Sequence, residues 1–339
     1  MGNPTKRLDN MAIIGPFSNS VKEIYGDYGP PKLDEYEVPL SKESVFISSS
    51  TITGLRNLAK NLTSLNLCAD GGRCSKWNKS QLVDLLASSQ LDLIILTLGT
   101  GENVVGENRD LHNYDLPGRQ GDILKELLRL NAMRPRGPVP IFLLVFTAGP
   151  IDIQTAVNSE QVTAIFWAGF PGPLIGEAFY SLLTGVSGEG LGSMRAFSSE
   201  EDEPGVESRW WIPAGRLPFT WYADVTNLAG IQEYTMTNQT YRYLPKSTCL
   251  LAGDKGNRST VCKDPIPVAF PFGHGLSYNV YCNKGNVEAS GFTYSLLVLP
   301  KRGLIRLGQS FVASVVVTNS GMMAADEVVQ VCFSFIQHT

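Results

Sequence analysis

Four short apolar runs, each closed by glycine or proline and separated by helical patterns, limit the architectures open to this chain. Residues 11–14 end at Gly15-Pro16, residues 91–98 at Gly99, residues 140–146 at Ala148-Gly149-Pro150, and residues 162–167 at Ala168-Gly169. Each run is β-rich and apolar at nearly every position, as in strands covered on both faces. Between them, residues 80–89 and 119–133 follow a helical period. In the second, Ile123, Leu124, Leu127, Leu128 and Leu130 form an apolar stripe, with Asp115 the expected N-cap and Pro117 near the start. Residues 174–183 make a third helix, stopped by Gly185. Strand alternating with helix predicts an α/β fold in which a mainly parallel sheet is sandwiched by helices.

Two stretches interrupt this scheme and read as loops. Residues 187–208 carry the acidic run Glu200-Glu201-Asp202-Glu203, and residues 246–263 enclose Cys249 and Cys262. After Cys282 the period becomes two. Residues 311–318 alternate, Asn319-Ser320-Gly321 turns, and residues 327–335 resume, which predicts a β-hairpin in a partial all-β segment. The net charge of -4, with Lys and Arg scattered, leaves no electrostatic footprint for nucleic acid. No apolar run approaches the roughly 20 residues needed to span a bilayer. Hydrophobic residues at 43% and charged residues at 18% fit a chain that buries a core.

Residues 265–278, Pro-Ile-Pro-Val-Ala-Phe-Pro-Phe-Gly-His-Gly-Leu-Ser-Tyr, interleave proline and glycine with rings, so a bent, stiff backbone presents aromatics. Upstream stand Ala214-Gly215-Arg216-Leu217-Pro218-Phe219-Thr220-Trp221 and Thr240-Tyr241-Arg242-Tyr243. In that order and at those intervals the three segments resemble glycoside hydrolase family 3, especially its β-xylosidase branch. The resemblance runs from about Ala12 to the C-terminus and covers the second half of a family member. It implies a family α/β-sandwich domain over residues 11–285, a linker over 1–10, and an incomplete fibronectin type III-like domain over 286–339. It also implies retaining hydrolysis of terminal β-linked xylose or a similar sugar. The aspartate nucleophile would lie on an N-terminal barrel with no counterpart here, so the chain alone is expected to be inactive. The alternative is a catalytically silent relative that binds carbohydrate or another protein.

A glycosidase needs two carboxyl groups across the scissile bond, one ionised and one that donates a proton. The resemblance places the proton donor on the loop Gly99-Thr-Gly-Glu-Asn-Val-Val-Gly-Glu-Asn-Arg-Asp-Leu111, where the branch shows Glu-x-Glu-x-x-Asp-Arg. Counting back from Leu116-Pro117-Gly118, the second glutamate falls on Glu107 and the aspartate on Asp110. The first glutamate falls on Val105 and the arginine on Leu111, neither of which can exchange a proton or pair with a carboxylate. Glu107 and the displaced Glu102 are therefore the candidate acids, and Arg109 the stand-in for the arginine. Asp110, Arg109, His274 and Phe272 are the candidate substrate-binding residues. Sugar C–H faces stack on rings, which adds Trp167, Trp221 and Tyr243. Arg216 and Arg242 read as loop-holding residues.

Other chemistries fit less well. Gly99-x-Gly101 after a strand resembles a dinucleotide-binding turn, but there the helix opens at the glycines, whereas this stripe starts near Pro117. The histidines, His112, His274 and His338, are too scattered for a metal cluster. No cofactor is expected. Six cysteines, Cys68, Cys74, Cys249, Cys262, Cys282 and Cys332, allow 15 pairings. The close pairs Cys68/Cys74 and Cys249/Cys262 suit short clips, and Cys282/Cys332 follows only by elimination. Asn61, Asn78, Asn238 and Asn257 open Asn-x-Ser/Thr sequons. Cysteines and sequons together point to a secreted or lysosomal chain. Residues 1–7 lack the apolar core of a signal peptide, so the expectation is a fragment of a longer protein.

Overall fold

A parallel sheet of five strands forms the centre of the computed structural model: β1 Leu8–Ile14, β2 Ala59–Leu65, β3 Leu93–Gly99, β4 Ile141–Phe146 and β5 Val162–Trp167. The structure describes residues 7–20, 23–26, 54–172, 175–185, 212–226, 228–230, 232–244, 251–252, 259–260, 267–283, 286–299 and 310–331. The sheet order is β2-β1-β3-β4-β5, with every pairing parallel. All seven residues of β3 are buried, because both neighbours and both faces are covered. Met11 and Ile13 of β1, Leu93 and Ile95 of β3, and Leu144 and Phe146 of β4 pack with Ile175 and Phe179 of the helix Ile175–Thr184. The alternate residues Ile14, Ile94, Leu96, Leu143 and Val145 are equally buried, as are Leu82 and Leu86 of the helix Lys79–Ser88 and Ile123, Leu124 and Leu127 of the helix Gln120–Ala132. Two apolar faces on one sheet explain why the strands read as unbroken apolar runs.

The four expected strands and three expected helices are present within a few residues, with β1 starting at Leu8, inside the expected linker. Strand β2 is the addition. Its sequence Ala-Lys-Asn-Leu-Thr-Ser-Leu is mostly solvent-facing, since an edge strand needs little apolar cover and so carries little apolar signal. Asp115 does not cap the second helix. That helix begins at Gln120, after Gly118 turns in the left-handed region (φ +55), and the Arg119 amide donates instead to the Cys74 carbonyl at 2.8 Å. Asn78 caps the first helix through its side chain, which accepts from the Gln81 amide at 3.3 Å.

The chain divides into two compact units, residues 1–201 with 219–272, and residues 202–218 with 273–339. The first also holds β6 Trp221–Tyr222 paired with β9 Val268–Phe270, and a short ladder of β7 Leu251–Ala252 and β8 Ser259–Thr260 inside the stretch expected to be a loop. The remainder of that stretch, and the acidic run at 200–203, lie outside the described residues.

The second unit contains the hairpin β10 Val280–Asn283 and β11 Asn286–Ser290, then β12 Phe292–Tyr294 paired antiparallel with β13 Val317–Asn319. The expected partner of the 311–318 run was residues 327–335, but its described part, 327–331, is not in a strand. Phe292–Tyr294 takes that edge. The buried Asn279 fixes the arrangement, donating to Asn319 Oδ1 at 2.9 Å and accepting from the Met323 amide at 3.1 Å. The turn after β13 forms as expected, with the Gly321 amide donating to Asn319 Oδ1 at 3.0 Å.

Candidate functional site

From β1 the chain goes to β2 at one edge, then returns past β1 to build β3, β4 and β5 on the other side. The strand order therefore reverses between β1 and β3. In such sheets the connections leaving the carboxyl ends of those two strands diverge and open a crevice, the usual place for a ligand. The loop carrying the candidate acids leaves β3 at this point.

Its root is locked by backbone geometry and one buried side chain. Gly99 sits at φ +145, and a Cβ there would lie 1.9 Å from the Phe146 carbonyl oxygen, so only glycine fits. Gln120 is fully buried at the start of its helix. Its Oε1 accepts from the Gly99 amide at 2.8 Å, while its Nε2 donates to the Gly99 carbonyl at 2.7 Å and the Gly72 carbonyl at 2.6 Å. One carboxamide thus ties the acid-bearing loop to the Gly71–Arg73 turn. The Cys68–Cys74 disulfide, paired as the spacing suggested, closes that same turn.

Further along, the Glu102 amide donates to the Glu23 carbonyl at 2.7 Å. Asn103 Nδ2 donates to Glu23 Oε1 at 3.2 Å and to the Asp70 carbonyl at 3.0 Å. Burial raises the Glu23 carboxyl above the ordinary carboxylate range, Asp70 and Glu102 add to this, and the Gly72 amide and Ser20 hydroxyl oppose it. Beyond this half-buried root the loop folds into a tight hairpin. Gly106 and Arg109 exchange backbone hydrogen bonds at 3.0 and 3.1 Å, and Asn108 takes the left-handed conformation at φ +60. Glu107 is at the exposed tip. Arg109 and Asp110 are exposed as well, and Arg109 NH2 donates to the Glu102 carbonyl at 3.0 Å. Val105 and Leu111 are half-buried. Downstream the loop is pinned again, since the Asp152 amide donates to the Tyr114 carbonyl at 2.7 Å and the Tyr114 hydroxyl to the Tyr222 carbonyl at 2.5 Å.

The two candidate acids thus differ. Glu107 stands out from the fold, whereas Glu102 lies lower, with one carboxylate oxygen buried. Trp167 and Trp221, two of the aromatic candidates, adjoin the ends of the loop through Thr147, Ile151 and Tyr222. Trp167 meets Phe219 edge-on and Trp221 meets it at a tilt, their indole N–H groups committed to the Thr147 and Ile151 carbonyls. Phe272 is stacked on Tyr241 with ring centroids 4.2 Å apart, and Tyr241 is 54% exposed. Arg242 lies over the Tyr243 ring at 5.5 Å.

His274 belongs to the second unit. Burial, then Arg216, lowers its pKa from the ordinary value. Arg216 holds that unit together, with an ion pair to Glu327 at 2.6 Å in which both side chains are only 10% exposed. Asn61, Asn78 and Asn238 are exposed. Cys249, Cys262, Cys332 and Asn257 lie outside the described residues, as does the Cys282 side chain.

Sequence reasoning missed Glu23, Asn103 and Gln120, which hold the loop's root. Glu23 and Asn103 belong to no recognisable motif. Gln120 follows Leu116-Pro117-Gly118 and could have been flagged as a polar residue on the apolar side of its helix.

The family model for the glycosyl hydrolase family 3 C-terminal domain matches residues 4–278. The chain belongs to that family. Among curated relatives, Beta-D-xylosidase 1 of Arabidopsis thaliana is 28% identical over 283 residues, covering 81% of this chain and 28% of the relative. Beta-xylosidase/alpha-L-arabinofuranosidase 1 of Medicago sativa subsp. varia is 25% identical over 281 residues, covering 83% of this chain and 29% of the relative. The family 3 chain described here therefore spans under a third of the length of these relatives. Among solved structures, a beta-glucosidase from Listeria innocua in complex with glucose superposes with a TM-score of 0.59 at 20% identity, over 94% of this chain and 35% of that one. At that identity the likeness establishes the shared α/β fold.

Proposed function

We propose that this chain is the proton-donor lobe of a β-xylosidase-like retaining glycoside hydrolase. The observation that carries the reading is Glu107, exposed on a hairpin tip above the carboxyl end of β3, where a carboxyl can reach into a pocket completed by another lobe. In the reaction, Glu107 protonates the leaving oxygen while an aspartate outside these residues attacks the anomeric carbon. The same carboxylate then takes a proton from the water that hydrolyses the glycosyl-enzyme. Asp110 and Arg109, on the adjoining arm, bind sugar hydroxyls or orient Glu107, and the Phe272 ring is a further sugar-binding candidate of the same unit. Residues 286–339 open a fibronectin type III-like domain. The Cys68–Cys74 bridge and the exposed sequons support passage through a secretory compartment, so the chain is secreted or lysosomal.

The silent-relative reading is favoured by one observation, the apolar pair Val105 and Leu111 where the branch carries Glu and Arg. The two readings separate in an aryl β-xyloside assay. The chain alone gives no turnover under either. Mixed with the barrel lobe of a relative, it restores turnover if it donates the proton. If it binds xylose yet restores nothing, the silent reading stands.

A further inference from the structure

The orphaned atoms at the loop's root point to a held proton. Asn103 Nδ2 donates to the Asp70 carbonyl, which can only accept, so the orientation of the Asn103 amide is fixed. Its second N–H donates to Glu23 Oε1 at 3.2 Å. That leaves Asn103 Oδ1 and Glu23 Oε2 buried without a hydrogen bond among the described residues. Both are acceptors when Glu23 is ionised, and each buried orphan is costly. One proton on Oε2 turns it from an acceptor into a donor, the polarity that complements the Asn103 amide oxygen.

We infer that Glu23 is a protonated acid paired with the Asn103 amide, and that this acid–amide couple is a positioning device for the loop bearing Glu102 and Glu107. The assignment of a role to that loop rests on the reading above; the proton does not. The surrounding charges agree. Asp70 and Glu102 face Glu23 with like sign, and Arg73 spends its Nε–H on the Asn103 carbonyl at 3.0 Å. Burial, the largest effect, acts in the same direction and outweighs the opposing Gly72 amide and Ser20 hydroxyl. A raised folded-state pKa stabilises fully below the unfolded value, about 4.3, and that contribution is lost as pH rises through the folded value.

The test is a carbon-detected NMR titration of the glutamate carboxyls of the full chain from about pH 4 to about pH 8. The inference expects Glu23 to titrate above the ordinary glutamate value, about 4.3, and the Asn103–Val105 amide signals to move at the Glu23 midpoint. In Glu23→Gln, a neutral mimic of the acid, those signals no longer follow that midpoint. The melting temperature of Glu23→Gln also gains on the parent chain as pH rises. Titration of Glu23 at or below about 4.3, or Asn103–Val105 amides indifferent to it, overturns the inference. Should Glu23→Gln fail to fold, the parent titration alone decides. Neither measurement requires turnover, so a failed role for Glu107 leaves this result readable.

Discussion

Gln120→Leu removes the clamp at the root of the acid-bearing loop while keeping the side-chain volume close. Leucine can neither accept from the Gly99 amide nor donate to the Gly99 and Gly72 carbonyls, so three backbone groups lose their Gln120 partner in a site with no solvent access. A buried group left unsatisfied costs about 1–3 kcal/mol. Carbonyls tolerate the loss better than amides, so the lower half of that range applies to two of the three, giving a destabilisation of about 3–7 kcal/mol. That is a large share of the about 5–15 kcal/mol typical of a folded domain. Urea unfolding followed by circular dichroism measures it as a lower midpoint at unchanged slope.

Gln120→Glu sharpens the test. An ionised carboxylate still accepts from the Gly99 amide but points its other oxygen at two carbonyls. Burial and those carbonyls raise its folded-state pKa, so stability is retained at low pH and lost as pH rises through that value. A loss below about 1 kcal/mol for Gln120→Leu, or a Gln120→Glu chain indifferent to pH, would refute the clamp.

Three further outcomes follow from the geometry. Gly99→Ala places a methyl 1.9 Å from the Phe146 carbonyl and should cost about 2 kcal/mol or more in urea unfolding. Cys74→Ser opens a clip with a sequence separation of six and should lower stability by about 2 kcal/mol on the chain-entropy estimate, read against the reduced parent chain as control. His274, held below its ordinary pKa by burial and Arg216, binds a proton more readily when unfolded. Stability should therefore fall as pH drops below about 6.5, and in His274→Phe that acid-side loss in melting temperature should shrink.

The sheet was legible because β1, β3, β4 and β5 bury both faces, which forces continuous apolar runs and marks their ends with glycine. The edge strand β2 was not, since Lys60, Asn61, Thr63 and Ser64 meet solvent and carry no period. Asp115 was a plausible cap by residue type, yet Gly118 and the Cys74 carbonyl, distant in sequence from each other, decide where that helix starts. The hairpin in the second unit shows the same limit: residues 311–318 have the right alternation, but only tertiary structure reveals that β12, earlier in the chain, is the partner. At the candidate site, motif position is the ground on which Glu107 is proposed. The root residues Glu23, Asn103 and Gln120 act through hydrogen bonds to backbone groups from other segments, and no local pattern records those.

The central claim is that Glu107 donates the proton, and leaving-group dependence tests it most directly in the chain joined to a relative's barrel lobe. An alkyl or sugar leaving group needs protonation, whereas a dinitrophenolate does not. Glu107→Gln should therefore slow xylobiose cleavage by about 10²–10⁴-fold while the first step on dinitrophenyl β-xyloside is far less affected. Equal losses on both substrates, or this pattern in Glu102→Gln instead, would contradict the account.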